Sequence, residues 1–191
     1  MPRVVDVEQR RAELTDATAR LIAKSGIGAA TMRDVAAEAG WTTGALTHYF
    51  TDKRELLLHT FRASLEHRRD RRSSFTDDPH AALRDSLEGA LPLDEDRRRH
   101  WMVTIAFCAQ AAGDPDLAAA QRDAYREFRS RVASLVAACG LAASGIEATA
   151  VAEQMITVAD GIAIQALFDP DTWPPLRQLD ALASALAIAK V

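Results

Sequence analysis

Residues 31–56, TMRDVAAEAGWTTGALTHYFTDKREL, hold two short apolar-patterned segments on either side of Gly40. A helix of two turns gains little on its own. A chain that breaks one at Gly40 and restarts within three residues therefore has a reason outside the helix itself, and outward presentation of the second helix is one. Thr31, followed three residues later by Asp34, resembles a capping box with Asp in place of the usual Glu or Gln. The segment it opens would bury Val35, Ala36 and Ala39. Gly40 can take the positive φ of a sharp turn, and Trp41 and Leu46 would pack beneath that turn with Val35. Thr42 or Thr43 would cap the next helix, and Asp52 a longer one from Lys53 to about Ser73. The pattern reads as a helix-turn-helix; a plain α-hairpin in a helical core is the alternative.

The remainder is helical too. Alanine and leucine dominate the apolar residues, aromatics are only 6%, and β-branched runs are few. A first helix is predicted over about Val7–Ser25, with Leu14, Ala17, Leu21 and Ile22 on one side and Gly26 at its C-terminal cap. After the turn-rich SSFTDDPH come helices over about 79–90, 94–112, 115–139, 145–167 and 175–190. LPLD, GDPD, CGLAASG and DPDTWPP divide them. No segment reads as a strand. The expected fold is all-α, with about nine helices.

Charge separates front from back. Residues 1–75 carry 13 Lys and Arg against 10 Asp and Glu, or +3; residues 76–191 carry 10 against 17, or −7. A basic front beside an acidic back suggests two parts with different partners. In the segment after Gly40, Thr42, Thr43, Ala45, Thr47 and His48 would face outward. Hydroxyls there can bond phosphates or base edges, and small methyl groups can touch thymine. Lys53 opens the following helix, where a cation and helical N–H groups favour phosphate.

These residues resemble the DNA-binding region of the TetR family of bacterial transcriptional regulators. The shared features are the long first helix, T-x-x-x-V-A-x-x-A-G, the T-G-A-L segment, Tyr49-Phe50, and Lys53 with Glu55-Leu56. The later TVADGIAIQALFDPDTWPP is similar to the penultimate helix of the choline-responsive repressors of that family. The resemblance implies a homodimer that binds a palindromic operator on double-stranded DNA and answers to a small-molecule effector. It implies a helix-turn-helix domain over 1–50, a connecting helix over 51–75, and an effector-binding and dimerisation domain over 76–191. By position, Thr31 and Arg33 would contact phosphate. Thr42, Thr43, Gly44 and Ala45 would approach bases, and Thr47, His48, Tyr49 and Lys53 complete the DNA-facing set. Thr47 stands where many members carry tyrosine, so that ring's contact is missing here.

In the back half, HWMVTIAFCAQ supplies Trp101, Ile105, Phe107 and Cys108. Tyr125, Phe128, Met155 and Asp160 come from the next two helices. Aromatics, methionine and stray polar groups within a bundle often enclose a ligand, so these eight are the candidate effector pocket; ordinary core packing is the other reading. Asp160 is the only charge between Glu153 and Asp169, and a buried carboxylate would need a partner such as an effector cation. Val158 and Ile162 form one apolar stripe, and Leu179, Leu182 and Leu186 another; with the family resemblance they are the candidate dimer interface.

Catalysis is not expected. There is no phosphate-binding G-x-x-x-x-G-K and no Glu-x-x-His pair of a di-iron bundle, and Asp77 with His80 is too little for a metal site. No cofactor is expected. Cys108 and Cys139 lie apart, without a Cys-x-x-Cys pairing, and read as reduced thiols. The start of the chain lacks the apolar core of a signal peptide, and no run approaching ~20 apolar residues stands out. A soluble cytoplasmic protein without a membrane partner is expected. A helical small-molecule-binding or adaptor protein without specific DNA binding is the competing function, and steep salt dependence of DNA binding separates the two.

Overall fold

Short polar side chains start the helices, as the sequence leads one to expect. The structure, a computed structural model, describes residues 7–70 and 77–188. Among these are nine helices and no strand: α1 Val7–Ala29, α2 Met32–Glu38, α3 Thr43–Leu46, α4 Lys53–Asp70, α5 Pro79–Glu88, α6 Glu95–Ala111, α7 Pro115–Ala138, α8 Gly145–Phe168 and α9 Pro175–Ile188. Thr31, Thr42, Asp78 and Ser144 each accept a backbone N–H from the first turn of α2, α3, α5 and α8. Asp52 does the same for α4, taking the Glu55 N–H at 2.8 Å. The expected extension of α4 to Ser73, and of α9 to residue 190, lies outside the described residues. Gly26 interrupts α1 with φ 74° and ψ 173°, where the sequence placed the cap, and the helix resumes to Ala29.

Two compact units partition the chain: residues 1–67 with 102–120, and residues 68–101 with 121–191. In the first, Leu14, Ala17, Ile22, Val35, Ala36, Leu46, Phe50 and Leu56 are buried. Ala39, expected inside, is half-buried. Leu46 is the one buried residue of the four-residue α3. Burying a leucine contributes ~1.5–3 kcal/mol, far more than one helical turn contributes alone. Phe61 of α4 stacks on Phe107 of α6 with centroids 4.0 Å apart and planes 4° from parallel. Both rings are buried.

In the second unit α8 packs against α9 and α5. Trp101 donates its indole N–H to the Ala90 carbonyl at 2.6 Å, and Arg98 reaches the Leu167 carbonyl at 3.1 Å. One expectation needs correction. By length and composition, α8 is long and apolar enough to cross a membrane. The reason is its alanine-rich core content: Ala148, Ala152, Ala159, Ala163 and Ala166 are all buried, and 44% of its most apolar window is covered within the protein. Glu147, Glu153 and Asp160 lie within that helix and divide its apolar sequence.

Candidate functional site

The turn between α2 and α3 is built from backbone bonds. The Trp41 N–H reaches back to the Ala36 carbonyl at 2.7 Å and the Gly40 N–H to Ala37 at 3.1 Å. Gly40 sits at φ 74°, the left-handed geometry such a helix end requires. Thr42 Oγ1 then accepts the Ala45 N–H at 3.2 Å and opens α3. The turn thus completes α2, reverses the chain and starts α3 within four residues.

With Leu46 buried, α3 turns its other side to solvent. Thr42, Thr43, Gly44, Thr47 and His48 are exposed, and Ala45 and Tyr49 are half-buried. Arg33 is 85% exposed along its side chain, Thr31 is exposed, and Lys53 is half-buried at the start of α4. The ten DNA-facing candidates therefore lie on one compact unit, and none is buried. Two hydroxyls are already engaged. Thr31 Oγ1 accepts the Asp34 N–H at 3.2 Å and donates to Asp34 Oδ2 at 2.5 Å, while Thr47 donates to the Gly44 carbonyl at 2.9 Å. Thr42 accepts as a cap and keeps its proton to donate.

The sequence reading missed the cations behind this surface. Arg10 of α1 lies over the Trp41 ring, 5.2 Å from its centroid, and Trp41 meets Tyr49 edge-on at 5.4 Å. Arg11 lies over Phe50 at 5.7 Å. Arg10 and Arg11 are adjacent at the start of α1, and nothing in their spacing reveals the rings they meet. Arg54, in the first turn of α4, clasps the turn between α6 and α7. It holds Asp114 through Nε and, at 3.0 Å, through Nη2, and Asp116 through Nη2 at 2.8 Å. The hydrogen bonds from Arg54, then that from the Leu117 N–H, hold the Asp114 carboxyl well below the usual carboxylate range; the same pairing raises Arg54. Glu55 is also lowered, first by the Thr51 N–H it accepts at 2.8 Å.

The effector candidates are divided between the two units. Phe107, with Ile105 and Cys108, belongs to the first unit, and Phe107 is closed in its stack with Phe61. Trp101, Tyr125, Phe128, Met155 and Asp160 belong to the second unit. There the Tyr125 hydroxyl donates to Asp160 Oδ2 at 3.0 Å. Met155 is buried against a cleft lined also by α5 and α9. The dimer candidates divide as well. Ile162 and Leu182 are interior residues with 6% and 2% exposure, and Val158, Leu179 and Leu186 are half-buried. The outward row of α8 is Thr157, Gly161, Ile164 and Phe168, and Leu176 of α9 is exposed too. Among the described residues no cluster of His, Cys, Asp and Glu is arranged to hold a metal.

Comparison with known proteins agrees with this architecture. Residues 14–60 match the bacterial regulatory proteins of the tetR family, and residues 79–189 match the BetI-type transcriptional repressor C-terminal family. The chain is 30% identical over 179 residues to the HTH-type transcriptional regulator PksA of Bacillus subtilis (strain 168), covering 89% of this chain and 84% of PksA. It is 34% identical over 139 residues to the HTH-type transcriptional regulator BetI of Burkholderia mallei, covering 69% and 70%. A transcriptional regulator from Rhodococcus sp. Rha1 superposes with a TM-score of 0.85 at 29% identity, over 94% of this chain and 95% of that one. A putative regulator from Saccharomonospora viridis in complex with choline gives 0.86 at 20% identity, over 94% and 96%, a likeness of fold. An exposed, locally capped α3 in an all-α chain, with both halves matched, leads to one conclusion: this chain belongs to the TetR family of ligand-responsive, DNA-binding transcriptional regulators, with a C-terminal part of the BetI type.

Proposed function

We propose that the chain is a cytoplasmic repressor that binds a palindromic operator as a homodimer, with α3 of each copy in the major groove. The observation that carries this is the division of α3 itself: Leu46 is buried, while Thr42, Thr43, Gly44, Thr47 and His48 face solvent. Thr42, Thr43, Gly44 and Ala45 approach the bases. Thr31, Arg33, Thr47, His48, Tyr49 and Lys53 hold the phosphates on either side. Residues 1–50 bind DNA, 51–75 connect, and 76–191 take effector and partner. One α3 is a weak reader; two held about 34–36 Å apart engage successive half-sites. The outward row of α8 supports the dimer seam.

The effector reading is a small organic cation. Asp160 with Tyr125 supplies the counter-charge and a phenol. Gln121 lies one turn before Tyr125 on α7, and its Oε1 is buried with no hydrogen-bond partner among the described residues. Trp101 and Phe128 supply aromatic surface in the same unit. The choline bound to the Saccharomonospora protein is of this chemical class. The Arg54 clasp links the start of α4 to the α6–α7 turn, so displacement of that turn would reach the helix next to α3. A coupling of ~1–3 kcal/mol would change DNA affinity about 5- to 150-fold.

Selection of sites from random duplex DNA at two salt concentrations tests the DNA reading. A palindrome should be recovered, binding should weaken steeply with salt, and a Thr43→Asp, His48→Asp variant should lose it by about 10²–10³-fold. Failure to enrich any sequence at low salt, with and without choline, would favour the small-molecule-binding alternative. Calorimetric titration of choline with and without the selected operator tests the coupling, and equal affinities would sink it.

A further inference from the structure

Met155, read from the sequence as an effector residue, belongs to a cleft of about 280 Å³ formed by α5, α8, α9 and the turn after α7. Its deep side is aliphatic: Leu83, Met155 and Leu182 are buried, and Leu141 and Leu186 line it further out. One edge is different. There α5 presents Arg84 and Glu88, one helical turn apart. Their side chains make no ion pair or hydrogen bond among the described residues, and Glu88 meets Arg97 through its backbone carbonyl, at 3.5 Å, rather than its carboxylate. Arg four residues before Glu is the poorer orientation for a helical ion pair, which leaves both charges open to a third group. His80, one turn before Arg84, adds a donor on the cationic side.

The cleft therefore offers a cation, an anion and a hydrocarbon trough side by side. A carboxylate with an alkyl tail would satisfy Arg84 and leave Glu88 opposed; an alkyl ammonium would do the reverse. An α-amino acid with an aliphatic side chain satisfies all three. At about 280 Å³, the cleft has room for a molecule the size of leucine.

We propose that this cleft binds an aliphatic α-amino acid of leucine size. Arg84 takes its carboxylate, Glu88 its ammonium, and the side chain lies over Met155 and Leu182. The site is separate from the Tyr125–Asp160 pair, and its test needs no DNA.

Calorimetry on the full chain compares L-leucine with 4-methylpentanoate, which lacks the ammonium, and 3-methylbutylamine, which lacks the carboxylate. Leucine should bind saturably, one per chain, and each analogue about tenfold or more weakly because one charge stays unpaired. Arg84→Met should erase the preference for leucine over the amine, and Glu88→Gln the preference over the acid. Both positions are at the cleft edge, and melting curves check that the variants fold. In protein carrying ¹³C-methyl methionine, leucine should shift the Met155 signal, assigned with Met155→Leu, and leave Met32 and Met102 in place. Three results overturn the proposal: no saturation at millimolar leucine, equal binding of all three compounds, or binding that leaves Met155 unmoved.

Discussion

The outward faces of α3 and α8 solve opposite problems. α3 has four residues and one buried anchor, so its shape depends on the Thr42 cap, the Gly40 turn and Leu46. Its open side is hydroxyls, an imidazole and a glycine. α8 has 24 residues, holds itself in the second unit by a broad buried face, and turns Ile164 and Phe168 outward. Phe168 is 74% exposed, a poor arrangement in water for a side chain worth ~1.5–3 kcal/mol when buried. A polar face held by local bonds suits a polyanion whose edges carry donors and acceptors. An apolar face on a long rigid helix suits another protein surface. On the proposed reading, the two faces divide recognition from assembly.

The largest expected effect breaks the second face. Ile164→Glu with Phe168→Glu would bring carboxylates together across a two-fold seam. The variant should run as a monomer by light scattering, keep its helical circular dichroism, and bind the palindrome about 10²–10⁴-fold more weakly as avidity is lost. A dimer that survives these changes would mean that α8 does not form the seam, and that its apolar row serves something else.

A smaller effect tests the first face. An added Cβ at Gly40 meets nothing within 4 Å, so Gly40→Ala introduces backbone strain without a clash. At φ 74° that strain should cost about 1–2 kcal/mol, read as a lower urea midpoint with unchanged slope. Operator affinity should fall along with it, because α3 has little else to hold its angle. Wild-type stability in this variant would show that the turn adapts, and that the recognition helix is less tightly held than its hydrogen bonds suggest.

The two faces were also unequally legible. Thr31, Gly40, Thr42 and Asp52 act on neighbours within a few residues, so their roles can be read from spacing, and the inward turn of Leu46 follows from theirs. α8 defeats the same method because apolar residues occur on more than one of its sides. Ile162 and Ile164 look alike in sequence; packing within the second unit buries the first and leaves the second out. Alanine adds to the ambiguity, since it serves equally in a core and at a close helix contact. The stack of Phe107 on Phe61, 46 positions earlier, is hidden for another reason: nothing in either helix reveals the other ring. The amino-acid cleft needs three helices at once, and Arg54 with Asp114 is a pairing across 60 residues that periodicity does not carry.

That clasp is the subtlest target, because its groups are partly exposed and water screens them. Its signature is a dependence on pH. The Asp114 carboxyl titrates below its ordinary range in the folded chain, held down by Arg54, whereas in the unfolded chain it titrates near ~3.9. Arg54 stays charged throughout. The unfolded state therefore takes up the proton first as acid is added. The clasp's contribution is complete above about pH 5 and is lost as pH falls toward the folded value. Glu55, lowered by the Thr51 N–H, acts in the same direction, so Glu55→Gln is the control. Urea midpoints at neutral pH and through the acid range should fall less steeply with acid for Asp114→Asn than for the wild type, starting from a lower neutral value. Parallel acid limbs would mean that Asp114 is not tied to Arg54 in solution. The proposed coupling between the α6–α7 turn and the helix beside α3 would then rest on the Phe61–Phe107 stack instead.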